Sequence, residues 1–205
     1  MKISMMWAAL AATLAASAPA HAQVALTFDA DAQGVTASSG AAMSWDPAGH
    51  LVLQDIDSSD FYVSLPTAVL GDWSAYIGGT FAFDAVNLNG AANDWFTFGT
   101  LRISSGASFV ERDIVVPAAP ATSWTTYSTT LDAATWGSVL GNVTGVTLML
   151  ESHVGFDGAQ GFELNGLDNI RVTSAVPEPG AWALMATGLA VVAMARRRPP
   201  VSRPS

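Results

Sequence analysis

The middle of the chain is patterned with a period of two. Val24, Leu26 and Phe28 alternate with small or polar residues, as do Phe81, Phe83 and Ala85, while Val146, Leu148 and Leu150 stand against Thr147, Met149 and Glu151. Successive side chains of a strand point to opposite faces, so each set predicts a strand with one face buried. Further strands are predicted over residues 50–53, 61–65, 95–103, 108–116, 124–131 and 166–173, with Gly, Asp, Asn and Pro turns between them. Gly99 inside one of them predicts a bulge or a close backbone approach. Residues 67–75 and 132–140 predict short helical turns. About eight to ten strands with so little helix predict an all-β, antiparallel β-sandwich of jelly-roll type.

The two ends break the pattern. Lys2 precedes an apolar stretch over residues 5–16, and Ala20-His21-Ala22 has the small-x-small form that signal peptidase accepts, which predicts a signal peptide over 1–22 and cleavage before Gln23. Twelve residues rising about 1.5 Å each are too short to cross a hydrocarbon core about 30 Å thick. At the other end, Val176-Pro177-Glu178-Pro179-Gly180 leads into an uncharged apolar run over 181–195 and then Arg196-Arg197-Arg198. Pro177 and Pro179 hold their segment extended, since neither continues a helix. The apolar run rises only about 22 Å as a helix, a marginal span, and the arginines are expected on the cytoplasmic side. The expected plan is a signal helix over 1–22, one domain over 23–175, and a tail over 176–205 with a hydrophobic, membrane-anchoring helix.

The order of that tail, a Pro-Glu-Pro box, a short membrane segment and a basic cluster, resembles the PEP-CTERM sorting signal. The resemblance covers about the last 30 residues and implies recognition of Pro177, Glu178 and Pro179 by an exosortase. It further implies membrane anchoring followed by release or transfer to the cell surface, in a Gram-negative host that makes exopolysaccharide. The other reading of the tail is a plain membrane anchor that is never processed.

Charge narrows the partners. Residues 23–176 hold sixteen Asp and Glu against Arg102, Arg112 and Arg171, with no lysine, a formal charge of −13. Nucleic-acid backbones and anionic headgroups are excluded as partners, whereas polysaccharides, envelope proteins and divalent cations are compatible. The chain has no cysteine, so disulfides, thiol nucleophiles and thiolate metal sites are excluded.

The run Phe61-Tyr62-Val63-Ser64-Leu65-Pro66, then Leu70-Gly71-Asp72 and Tyr76-Ile77-Gly78-Gly79-Thr80-Phe81-Ala82-Phe83, is similar to the laminin B, or laminin domain IV, module. Trp124, Leu131 and Gly166-Leu167-Asp168-Asn169-Ile170 fit it as well, and fit carbohydrate-binding jelly rolls generally. Val69 and Ile77 depart from the animal pattern. The resemblance implies a β-sandwich and brings no catalytic residues.

Alternation places Asp168 on the face of Ile170 and Val172, where an unpaired carboxylate is costly. Either backbone N–H groups satisfy it, or a structural Ca²⁺ does, with Asp29 or Asp31 as further ligands. Asp55-Ile56-Asp57-Ser58-Ser59-Asp60 lacks the Gly and Glu of a calcium loop and reads as a solvated turn. Among Trp45, Trp73, Trp95, Trp124 and Trp136, Trp95 beside Asn93 and Asp94 is the candidate for stacking on a sugar, the others being core candidates. An enzyme would have to find its groups among the Asp and Glu residues, His50 and His153, with His153 reading as a rim residue, and no Gly-x-Ser-x-Gly or His-Glu-x-x-His motif occurs. The sequence therefore points to a non-catalytic, surface-delivered protein that binds polysaccharide, with protein–protein contacts or a secreted hydrolase as the alternatives.

Overall fold

The period-two segments pair into two antiparallel sheets in the computed structural model, which describes residues 24–57, 59–115, 119–154 and 163–175. These belong to one unit, Ala22–Ala175. Ala20, Ala22, Pro177, Glu178, Pro179, Arg196, Arg197 and Arg198 lie outside the described residues. One sheet runs in the order β3 (Ala41–Asp46), β4 (His50–Asp55), β11 (Leu164–Thr173), β6 (Thr80–Asn87), β9 (Thr125–Thr130), with β1 (Val24–Leu26) paired to β11. The other runs β2 (Thr36–Ala37), β5 (Tyr62–Ser64), β10 (Gly145–Met149), β7 (Phe98–Ser105), β8 (Ser108–Val115). The chain passes back and forth between the two sheets, giving an antiparallel β-sandwich of jelly-roll type. The long β11 is shared: its first half pairs with β4, its last residues pair with β1, and β6 flanks it on the other side.

The predicted inward residues fill the core. Phe28, Leu51, Leu53, Phe61, Phe81, Phe83, Leu101, Ile103, Leu148 and Leu167 are fully buried, and each such side chain contributes about 1.5–3 kcal/mol relative to exposure. Residues 67–75 form two 3₁₀ turns, Thr67–Val69 and Ser74–Tyr76, and 132–140 form α1 (Ala133–Leu140). Asp132 caps α1, its carboxylate accepting the Thr135 N–H at 2.9 Å, which holds its pKa below the usual range. Trp136, Val139 and Leu140 make the buried stripe of α1.

In two places the structure departs from the pattern, and at Gly99 it decides between the two expectations. β2 and β3 are too poor in large apolar residues to predict; β3 forms because it pairs along its whole length with β4, closed by a turn at Gly49, whose φ is 89°. Gly99 is a close approach rather than a bulge: the ladder from Phe98–Val115 to Thr100–Asp113 does not slip, and a Cβ there would lie 2.7 Å from the Phe83 ring. The bulge falls in β11 instead. Between Asp168 and Arg171 the register with β6 gains one residue, and Asn169 takes a φ of 50°. Leu167 and Ile170 thus both point inward although they are three apart. The extra residue shifts the alternation, so Asp168 is half-buried on the outer face and does not share the buried face of Ile170 and Val172, as strict alternation predicts.

Candidate functional site

The outer face of the β2-β5-β10-β7-β8 sheet carries an open groove of about 460 Å³. Register builds it in rows. Tyr62, Met149, Thr100 and Asp113 stand side by side across four strands, and Ser64, Thr147, Arg102 and Glu111 form the next row. Alternation explains why these side chains lie on the outer face: Val63, Leu148, Leu101 and Ile103, their neighbours along β5, β10 and β7, point into the core, while Thr100 at the floor of the groove is itself buried. Phe96 on the approach to β7 completes one wall and is 65% exposed.

Polar groups in the groove are held in place. The Thr100 hydroxyl donates to Asp113 Oδ1 at 2.7 Å. The Arg102 guanidinium sits 3.6 Å above the Phe109 ring and 3.9 Å from Glu111 Oε2. Such a stacked guanidinium keeps its N–H edges directed outward. Asp60, Glu111 and Asp113 outnumber Arg102, so the groove does not attract a polyanion. An aromatic wall with fixed donors and acceptors suits a neutral, polyhydroxylated chain.

Trp95 stands behind this wall. Its ring stacks on Phe96, centroids 4.6 Å apart, and its indole N–H is buried without a protein partner. Of the two rings Phe96 is the more exposed, and Trp95 is half-buried. Of the other tryptophans, Trp73 and Trp136 are core, Trp45 donates to the Phe28 carbonyl at 2.6 Å, and Trp124 is 45% exposed. Trp124 lies on the opposite sheet over Gly166, edge-on to His50 at 5.3 Å.

Asp168 is on that opposite face too. Its carboxylate accepts the Asn169 N–H at 2.6 Å and the Asn169 side chain at 3.1 Å. Burial raises its pKa, and Asp84 and Asp29 add to the rise. Asp84 is held by Thr126, Asn169 and Arg171. Asp29 comes near Asp168, whereas Asp31 is turned to the Gln33 N–H at 2.6 Å. Among the described residues no three His, Asp or Glu side chains converge to hold a metal.

A third cluster was not legible in sequence. Glu151, expected on the solvent face, and Asp55, expected in a solvated turn, are buried together with Glu163, Ser152, His153 and Asn165. The strand ends at Met149, so the alternation stops before Glu151, whose carboxylate turns to the Phe61 N–H. Burial, then the charges of Glu163 and Asp55, push the Glu151 pKa up to about 8. Burial pushes Glu163 up to about 7 against the hydrogen bonds of Ser152. His153 lies inside the rim, with Nδ1 2.7 Å from Asp94 Oδ1. Neither raised glutamate is accessible enough to serve as a catalytic acid.

Compared with known proteins, the domain is first of all a β-sandwich of a widely shared kind. An exo-β-agarase structure matches at 16% identity over 75% of this chain, TM-score 0.52, and this chain spans 25% of it. The L4b domain of human laminin α2 matches at 8% identity, covering 75% of this chain and 98% of the domain, TM-score 0.51. A family 11 carbohydrate-binding module of a Clostridium thermocellum cellulosomal cellulase matches at 16% identity over 77% and 97%, TM-score 0.46. The first two likenesses are of fold, and the laminin match agrees with the laminin domain IV resemblance. No curated protein matches the chain. More particularly, residues 175–198 match the PEP-CTERM protein-sorting motif. Among the described residues no helix is long and apolar enough to cross a membrane.

Proposed function

We propose that this chain is a non-catalytic, surface-delivered protein that binds a neutral polysaccharide of the cell envelope in the groove lined by Tyr62, Phe96, Thr100, Arg102, Glu111 and Asp113. The observation that carries the reading is the registered double row of side chains, which sets aromatic and hydrogen-bonding groups along one open surface. Two of the groove's three acids, Asp113 and Glu111, are tied to Thr100 and Arg102, which supports binding over hydrolysis. The names of the agarase and the carbohydrate-binding module agree with a glycan ligand but do not carry the reading.

Delivery follows the two ends. The 1–22 segment is removed by signal peptidase, the 176–205 tail anchors the 23–175 domain in the inner membrane, and an exosortase acts at Pro177-Glu178-Pro179 to place the domain at the surface, where exopolysaccharide is made. The sorting motif over 175–198 supports this route.

The test is affinity electrophoresis of the full chain, in mild detergent, through gels containing neutral bacterial or plant polysaccharides. Retardation by at least one neutral glycan and none by a polyanion is expected. Equal mobility in every gel would leave protein contacts, through the exposed Phe96 and Phe109, as the reading to pursue.

A further inference from the structure

The Phe96 wall of the groove stands on an irregular segment, residues 88–97 between β6 and β7. That segment is nevertheless tied down at several points. Its root is Asn87, 5% exposed, whose Oδ1 accepts the Gly90 N–H at 2.8 Å and whose Nδ2 donates to the Ala91 carbonyl at 2.8 Å and to Asn93 Oδ1 at 3.2 Å. Asn93 Nδ2 reaches across to the Pro120 carbonyl at 2.7 Å.

Asp94 and Trp95 fasten the end of the segment to the residues that follow β10. Asp94 Oδ1 accepts the Val154 N–H at 2.7 Å and sits 2.7 Å from His153 Nδ1, and the Trp95 N–H donates to the Ser152 carbonyl at 3.1 Å. The base beneath is itself fixed. Ser152 and His153 are buried, and the Ser152 N–H and hydroxyl both go to Glu163 Oε2 at 2.8 and 2.7 Å. The Val154 N–H, the strongest influence on Asp94, holds its pKa below the usual carboxylate range, so near neutral pH the exposed carboxylate is an ionised acceptor with donors at hand.

Phe96 follows directly on this clamp. Its ring stacks on Trp95, and the next two residues, Thr97 and Phe98, are buried. The chain therefore holds Phe96 from both sides while its ring stays largely exposed. An aromatic side chain that is ordered before a ligand arrives escapes the entropic cost of being immobilised on binding.

We propose that Asp94 is a positioning residue of the groove: by clamping residues 94–95 to residues 152–154 it holds Phe96 in place as the wall against which the glycan packs. This inference rests on the reading of the groove as a glycan site. Asp94 is not among the residues lining the groove, so its effect passes through Phe96.

The test is affinity electrophoresis of the full chain, in mild detergent, in a neutral-glycan gel that retards the wild type, applied to Asp94→Ala, Asp94→Asn, Phe96→Ala and the Asp94→Ala, Phe96→Ala double variant. Asp94→Ala is expected to weaken retardation about three- to tenfold, the cost of ordering a loosened side chain on binding. Asp94→Asn keeps an acceptor oxygen for the Val154 N–H and is expected to recover most of that loss. In the Phe96→Ala background Asp94→Ala is expected to have no further effect, whereas general damage to the domain would lower retardation by the same factor in both backgrounds. Amide hydrogen exchange of residues 94–97 is expected to speed up in Asp94→Ala while that of β10 stays at the wild-type rate. Wild-type retardation of Asp94→Ala overturns the proposal, as does an equal loss with and without Phe96, or unchanged exchange at residues 94–97. A wild-type chain retarded by no neutral glycan is a different failure: it defeats the reading of the groove and removes the role of Asp94 with it.

Discussion

Replacing Glu163 with glutamine isolates the penalty of burying its charge. The Glu163 carboxyl, 2% exposed, has its pKa raised from 4.5 to about 7, with burial the largest cause. The native state then holds this proton more tightly than the unfolded chain does, so the contribution to stability is present below pH 4.5 and is lost as pH rises through about 7. At 1.36 kcal/mol per pH unit that loss amounts to about 3 kcal/mol. Glutamine keeps an acceptor oxygen for the Ser152 N–H and hydroxyl. Glu163→Gln is expected to match the wild type near pH 4.5 and to exceed it by about 2–3 kcal/mol near pH 8. For a domain of this size that is about 5–10 °C in unfolding temperature. Thermal unfolding followed by tryptophan fluorescence at both pH values measures it. A difference between the two proteins that is the same at both pH values, or a variant less stable at pH 8, would refute the reasoning.

Other residues give separate readouts. A Cβ on Gly166 would lie 2.7 Å from Val86 Cγ1 and 2.8 Å from the Trp124 ring, so Gly166→Ala is expected to cost about 1–3 kcal/mol and less in a Trp124→Ala background, read from urea midpoints of the four proteins. Asp132→Ala removes the cap of α1 and is expected to lower the unfolding temperature, with the loss vanishing below the depressed pKa of that carboxyl. A capping loss that persists undiminished in strong acid would show that its charge-assisted bond is not the source.

The sandwich was legible because its core strands obey alternation: Leu51 and Leu53, Phe81 and Phe83, Val146 and Leu148 point inward as their spacing requires. β3 was hidden because Ala41-Ala42-Met43-Ser44 carries little apolar contrast and owes its conformation to β4. The placement of Asp168 failed for a local reason, the extra residue at Asn169, which no periodicity announces. Glu151 failed because a strand had already ended. The groove was half visible. Tyr62 and Phe109 sit at outward positions of their strands, a signal that sequence offers, but the alignment of Tyr62 with Asp113 through three successive pairings depends on register between segments up to about ninety residues apart, which local pattern does not set. Trp95 was the candidate for sugar stacking from its neighbours Asn93 and Asp94; its half-buried ring stacks on Phe96, which is the more exposed of the two.

Whether the Tyr62–Phe96 groove holds the glycan is tested most directly by carrying two variants through the polysaccharide gels that retard the wild type. Tyr62→Ala with Phe96→Ala removes the exposed wall, and the loss of two aromatic contacts is expected to weaken retardation about tenfold or more. Trp124→Ala, on the opposite sheet, is expected to leave it unchanged. Retardation that survives the double substitution and disappears with Trp124→Ala would contradict this assignment and move the binding face to the other sheet.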